Sequence, residues 1–172
     1  GMADMLSLPH DIDHLERIVV ARDGIAVIVN PANKANEITF DQLGEIFSGE
    51  INNWKDLNLD SGPIRVISRE EGSGTKKSFD QLVLKGKKLT TDAMFQDSNG
   101  TIRETVRNDP NAIGYISIGY LTSNVKPLLI DGITATNENV KTGTYKIARP
   151  IFLILKANPS DAARKFLNYL LS

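Results

Sequence analysis

Cysteine is absent from the chain, which removes disulfide frameworks, thiolate metal sites and cysteine nucleophiles together. Histidine is scarce. The 2 copies, His10 and His14, both sit in a polar leader, so a histidine general base is hard to place near any other candidate group. No charge sign dominates: 20 Lys and Arg face 21 Asp and Glu, for a net charge of −1. That balance removes the unspecific attraction to phosphate backbones on which nucleic-acid binders depend, and also polybasic adsorption to membranes. Long apolar runs are missing as well. Ile151-Phe152-Leu153-Ile154-Leu155 is typical of the longest and falls far short of a bilayer span. No signal peptide opens the chain. Gly1-Met2 reads as a residue left before an initiator methionine, which puts any upstream targeting segment outside the sequence.

What remains is ordinary globular material. With 172 residues, 41% hydrophobic and 24% charged, the chain can build a core without staples, as one domain or two small lobes. Residues 3–16 are mixed and read as irregular. Two β-branched runs, Arg17–Ala21 and Gly24–Val29, interrupted at Asp23-Gly24, predict a long strand with a kink or bulge, buried on both faces. Thr39 with Gln42 forms a capping box that opens a helix with Phe40, Leu43, Ile46 and Phe47 on one face and Gly49 as its stop. Further expected elements are a strand at Ile64–Ile67, a helix from about Thr75, a helix over 100–107, a strand from Ala112 to Tyr120, strands at Val125–Ile130 and Ile151–Leu155, and a terminal helix. Asn158-Pro159 caps that last helix, and Ala163, Phe166, Leu167, Leu170 and Leu171 form its stripe. Strands alternating with helices indicate an α/β fold with a mostly parallel sheet flanked by helices.

Chemistry concentrates in Ser68-Arg69-Glu70-Glu71-Gly72-Ser73-Gly74-Thr75-Lys76-Lys77-Ser78, between a strand and a helix. Gly72 and Gly74 let the backbone turn tightly, and the unpaired N–H groups of the helix start make an anion site. Ser73 and Thr75 add hydroxyls, and Arg69 adds a permanently charged planar fork. A Walker A loop is excluded, because Glu71 and Lys76 stand where its two glycines are required. Taken by itself, the loop also reads as a plain strand-to-helix turn whose Ser or Thr caps the helix.

Residues 17–171 resemble the phosphate-binding proteins of bacterial phosphate ABC transporters. The resemblance is carried by Asp23–Pro31, Thr39–Gly49 with Asn53-Trp54, Ser68–Thr75, Ser98-Asn99-Gly100, Pro110–Tyr115, and Glu138-Asn139-Val140 through Arg149-Pro150, all in order. It implies a periplasmic-binding-protein-like (type II) lobe plus an incomplete second lobe: residues 24–116 as one complete lobe carrying the anion loop, and 1–23 with 117–172 as part of the other. It implies Arg69, Ser73, Gly74 and Thr75 as phosphate contacts, with Gly72 supporting the turn and Glu71 orienting Arg69 and moderating its charge. No catalytic residue, cofactor or metal is implied. The implied partners are inorganic phosphate and the membrane permease of the transporter, in an extracytoplasmic location, without nucleic acid. Much of the family's first lobe precedes the matching region, so the expected binding is weakened by truncation. Apolar faces left on the incomplete lobe suggest a homodimer or a complementing chain.

Other features admit two readings each. His10-Asp11-Ile12-Asp13-His14 offers zinc ligands, or a polar surface turn. Trp54 is a stacking platform or a turn aromatic packed on the preceding helix; Tyr115 and Tyr120 line a cleft or are partly buried core. Ser98–Thr101 points at the anion or merely caps a helix. Lys76 and Lys77 are expected to be solvated. Three functions compete: a non-catalytic oxyanion-binding protein of a transport system, a transferase or hydrolase using Ser73 or Thr75 as nucleophile, and a split or vestigial binding-protein module acting in protein interaction or phosphate sensing. Phosphate, sulfate and arsenate are not separable at this level.

Overall fold

The computed structural model describes residues 2–3, 15–156 and 161–171. Its strands are β1 (Met2–Ala3), β2 (Leu15–Val29), β3 (Glu37–Ile38), β4 (Arg65–Arg69), β5 (Met94–Gln96), β6 (Ala112–Ser117), β7 (Lys126–Pro127), β8 (Leu129–Ile130) and β9 (Ala148–Lys156). Its helices are α1 (Phe40–Ser48), α2 (Gly74–Phe79), α3 (Asn99–Asn108), α4 (Asn137–Lys141) and α5 (Asp161–Leu171). The chain divides into two compact units, Gly24–Arg149 and, separately, Gly1–Asp23 with Pro150–Ser172. No helix among the described residues is long and apolar enough to cross a membrane.

The unit Gly24–Arg149 is an α/β lobe. Its sheet runs in the order β2-β6-β4-β5, with β7 beside β2. β4 lies parallel to both β6 and β5, and β3 pairs in parallel with β8. β2 is antiparallel to β6, from Ile25 opposite Ser117 to Val29 opposite Ile113, and to β7. Parallel pairing therefore prevails in the lobe, with β2 as its antiparallel member. Ile25, Ala26, Val27, Ile28 and Val29 are wholly buried, as a continuous β-branched run requires when both faces of a strand are covered.

The helices form where local chemistry dictates. Thr39 Oγ1 accepts from the Gln42 amide at 3.0 Å while Gln42 Oε1 accepts from the Thr39 amide at 2.9 Å, the reciprocal box expected from sequence. α1 then buries Leu43, Ile46 and Phe47 and ends at Gly49. α3 is opened by a second such box, between Ser98 and Thr101, and packs on β6 and β4. That approach is close because residue 114 has no side chain: a Cβ there would stand 2.8 Å from Ile102 Cγ2.

The lobe's carboxy-terminal boundary lies at Arg149, not at 116 as the sequence suggested. After Ser117 the chain makes one 3₁₀ turn, Ile118–Tyr120, instead of continuing the expected strand to Tyr120. It then returns to the same core. β7 and β8 pair with β2 and β3, Tyr145 donates its O–H to the Ile25 carbonyl at 2.8 Å, and Ile147 is wholly buried with its carbonyl accepting from the Ile25 amide at 2.8 Å.

In the other unit β1 pairs antiparallel with β9. The boundary at Asp23/Gly24 falls on the dipeptide expected to interrupt the first strand, although β2 is continuous through it. On α5, Ala163, Leu167 and Leu170 are partly covered, but Phe166 is 55% exposed, so the apolar stripe is not buried as one face. The proposed cap Asn158-Pro159 and the His10–His14 cluster lie outside the described residues.

Candidate functional site

β4 delivers Arg69 to the end of the sheet, and the chain turns through Glu70–Ser73 into α2. The turn closes with the Ser73 amide donating to the Glu70 carbonyl at 3.3 Å. Gly72 has φ of +93°, a backbone setting that a side chain would strain. Ser73 caps α2: its Oγ accepts from the Lys76 amide at 3.1 Å, and its carbonyl accepts from the Lys77 amide at 3.1 Å. The amides of Gly74 and Thr75 make no hydrogen bond to any described residue. They are the unmatched donors that every helix start carries. The Thr75 hydroxyl, on a residue only 7% exposed, is likewise without a partner among the described residues. The structure thus brings Ser73, Gly74 and Thr75 together as a donor-rich helix start, next to the turn that follows Arg69.

Arg69 is held firmly. Its side chain is 13% exposed; Nε and Nη2 donate to the two carboxylate oxygens of Glu70 at 3.2 Å each, and Nη2 also reaches the Asp97 carbonyl at 3.3 Å. The hydrogen bond from Arg69 holds the Glu70 carboxyl below its ordinary value, since it favours the charged form. Nη1 makes no hydrogen bond to a described residue. The acidic partner is therefore Glu70 and not Glu71, which corrects the expectation from sequence. Glu71 stands 90% exposed across the turn, its Oε1 3.4 Å from Lys76 Nζ. Adjacent residues on a tight turn point apart, so only one of the two glutamates can meet the guanidinium.

Lys76 is also unlike its expectation. The residue is 8% exposed, and its Nζ lies 2.5 Å from Asp80 Oδ2, one helical turn on. Burial lowers its pKa, but the hydrogen bond and charge of Asp80, joined by Glu71, outweigh that and raise it. The ammonium thus stays charged within the wall of the loop instead of being solvated. Beyond α2 the helix widens into a π turn, Asp80–Leu84.

Of the remaining candidates, Ser98 and Thr101 satisfy each other as a helix cap, and the Asn99 side chain accepts from the Ser117 amide at 3.1 Å. Trp54 is 2% exposed and donates from Nε1 to the Asn111 carbonyl at 3.1 Å, so it is core and no platform. Tyr120 is 51% exposed, whereas Tyr115 is wholly buried. Among the described residues no group of three or more potential ligands is placed to hold a metal ion.

Residues 12–172 match the PBP superfamily domain. The chain belongs to the PBP superfamily, in its family of phosphate-binding proteins. PBP proteins of that family are non-catalytic binding proteins. The phosphate-binding protein PstS of Bacillus subtilis is 35% identical over 162 residues, covering 94% of this chain and 52% of that protein. A crystal structure of a substrate-binding protein assigned to phosphate ABC transport in Clostridium perfringens, with bound phosphate, is 37% identical, has a TM-score of 0.83, and covers 100% of this chain and 72% of that one. An ABC-type phosphate transport receptor from Vibrio cholerae is 29% identical with a TM-score of 0.84, covering 99% of this chain and 72% of that one. The chain spans about half the length of the curated PBP relatives it matches.

Proposed function

We propose that the loop Arg69–Thr75 holds inorganic phosphate, and that the chain acts as part of the solute-binding component of a phosphate ABC transport system, outside the cytoplasm and served by the membrane permease. The observation that carries this reading is the pair of unpartnered amides on Gly74 and Thr75, together with the Thr75 hydroxyl and, at the end of β4, a guanidinium with Nη1 uncommitted. Each hydrogen bond to a charged group contributes roughly 1.5–3 kcal/mol, so a few such donors hold a small oxyanion without a counterion. Relatives described as phosphate-binding proteins support the choice of ion. Ser73 and Gly74 shape the helix start, Gly72 permits the turn, and Glu70 keeps Arg69 in place.

The isolated chain presents the donors of a single lobe, so we expect weak phosphate binding from it. The comparisons give no support to a homodimer. Titration calorimetry of the parent chain and of Arg69→Ala, with phosphate, sulfate and arsenate, tests the reading. Phosphate heat from the parent that disappears in Arg69→Ala is expected; equal heats from both proteins would refute the site. The order of the three ions then ranks the ligand.

A further inference from the structure

Both elements that flank the anion loop rest on one buried side chain. Tyr115 lies on β6 and is wholly buried. Its hydroxyl sits 2.9 Å from Ser68 Oγ and accepts from the Arg69 amide at 3.3 Å, so it grips the end of β4 just where the guanidinium departs. Its ring stacks on Phe79 of α2, with centroids 3.9 Å apart and planes 9° from parallel, and Phe79 in turn meets Phe47 of α1 edge-on at 4.8 Å. Through Phe79 the same residue fixes the helix whose first amides are unpartnered.

We propose that Tyr115 is the positioning residue of the anion loop: its hydroxyl sets the strand end that carries Arg69, and its ring sets the helix start that carries Gly74 and Thr75. The inference rests on the phosphate reading of that loop. An oxyanion contacted from both sides of a turn needs the two sides held in register, and here register passes through one aromatic ring and its oxygen. Neutrality is part of the device. Burial pushes the hydroxyl pKa up to about 12, so the hydroxyl shared with Ser68 Oγ stays neutral even at mildly alkaline pH.

A matched pair of variants separates this role from general support of the core. Tyr145 is buried in the same lobe, and its hydroxyl is likewise bonded to backbone, here by donating to the Ile25 carbonyl. Tyr115→Phe and Tyr145→Phe each remove one buried hydroxyl and keep the ring. Phosphate affinity by calorimetry, well below both melting temperatures, is expected to fall about three- to tenfold in Tyr115→Phe and to stay at the parental value in Tyr145→Phe. Amide hydrogen exchange at Arg69 is expected to quicken in Tyr115→Phe alone. Equal affinity losses in the two variants, or none in Tyr115→Phe while Arg69→Ala abolishes binding, would overturn the proposal. If Arg69→Ala binds as the parent does, or the parent does not bind at all, the phosphate reading itself fails and takes this inference with it.

Discussion

Arg69 has donors to spare in a nearly enclosed setting: Glu70 and the Asp97 carbonyl occupy only Nε and Nη2, and the rest of the fork stays available. Thr75 offers the cleanest test of its own part. Thr75→Val preserves shape and β-branching while removing the hydroxyl, and should weaken phosphate binding about tenfold with an unchanged melting temperature; calorimetry beside a thermal melt checks both halves. Tyr115 carries a pH consequence. Its folded pKa is raised from 10.0 to about 12, so its contribution to stability is whole below pH 10 and is lost as pH climbs towards 12, because the unfolded chain ionises first. The loss by pH 12 is on the order of 2–3 kcal/mol. Denaturant melts at rising alkaline pH should therefore fall more steeply for the parent than for Tyr115→Phe. At this scale the sequence was legible in where the loop lies: Arg69 ends β4, and Ser73, Gly74 and Thr75 open α2. Glu70 was missed because nothing in the pair Glu70-Glu71 tells which side chain turns inward. Lys76 was missed because a lysine is taken as exposed by default, and its burial depends on Asp80 one turn later. Tyr115 was missed as a support because its contact with Ser68 is made through space.

Among the elements, those specified by their own ends were readable. The box of Thr39 and Gln42 opens α1, and Gly49 closes it. Thr39→Ala should cost about 1 kcal/mol, measurable as a shift in denaturation midpoint. Elements specified by neighbours were not readable. β3 and β5 are two or three residues long, too short for any alternation to register, and exist because a partner strand lies beside them; the single strand expected at Val125–Ile130 is instead two short ones, β7 and β8, paired with different partners. The π turn at Asp80–Leu84 likewise has no local signature. Contact between α3 and β6 sets a second test. Gly114→Ala would push a methyl against Ile102 and Val106, and overpacking of that kind costs about 1–3 kcal/mol. An unchanged melting temperature would show that α3 can retreat freely.

For the molecule as a whole, the hydrophobic side chains described as buried, from Ile25 to Ile147, all belong to Gly24–Arg149. Class and family were legible in the sequence because the alternation of strands and helices and the ordered motifs span the chain. The lobe's true end was not, since Tyr145 and Ile147 reach Ile25 from more than a hundred residues away. A fragment comprising residues 24–149 should therefore fold alone and keep a cooperative thermal transition; a gradual, non-cooperative melt by circular dichroism would show that the remaining residues complete its core.

Trp54 has a practical side. It is the only tryptophan, 1 in the whole chain, and its indole is dry and tethered to Asn111 inside the lobe that carries the Arg69–Thr75 loop. Selective excitation of the intact protein thus illuminates one lobe and leaves the other unit dark. Its emission will shift to longer wavelength when that lobe opens to water, a built-in optical reporter that needs no label.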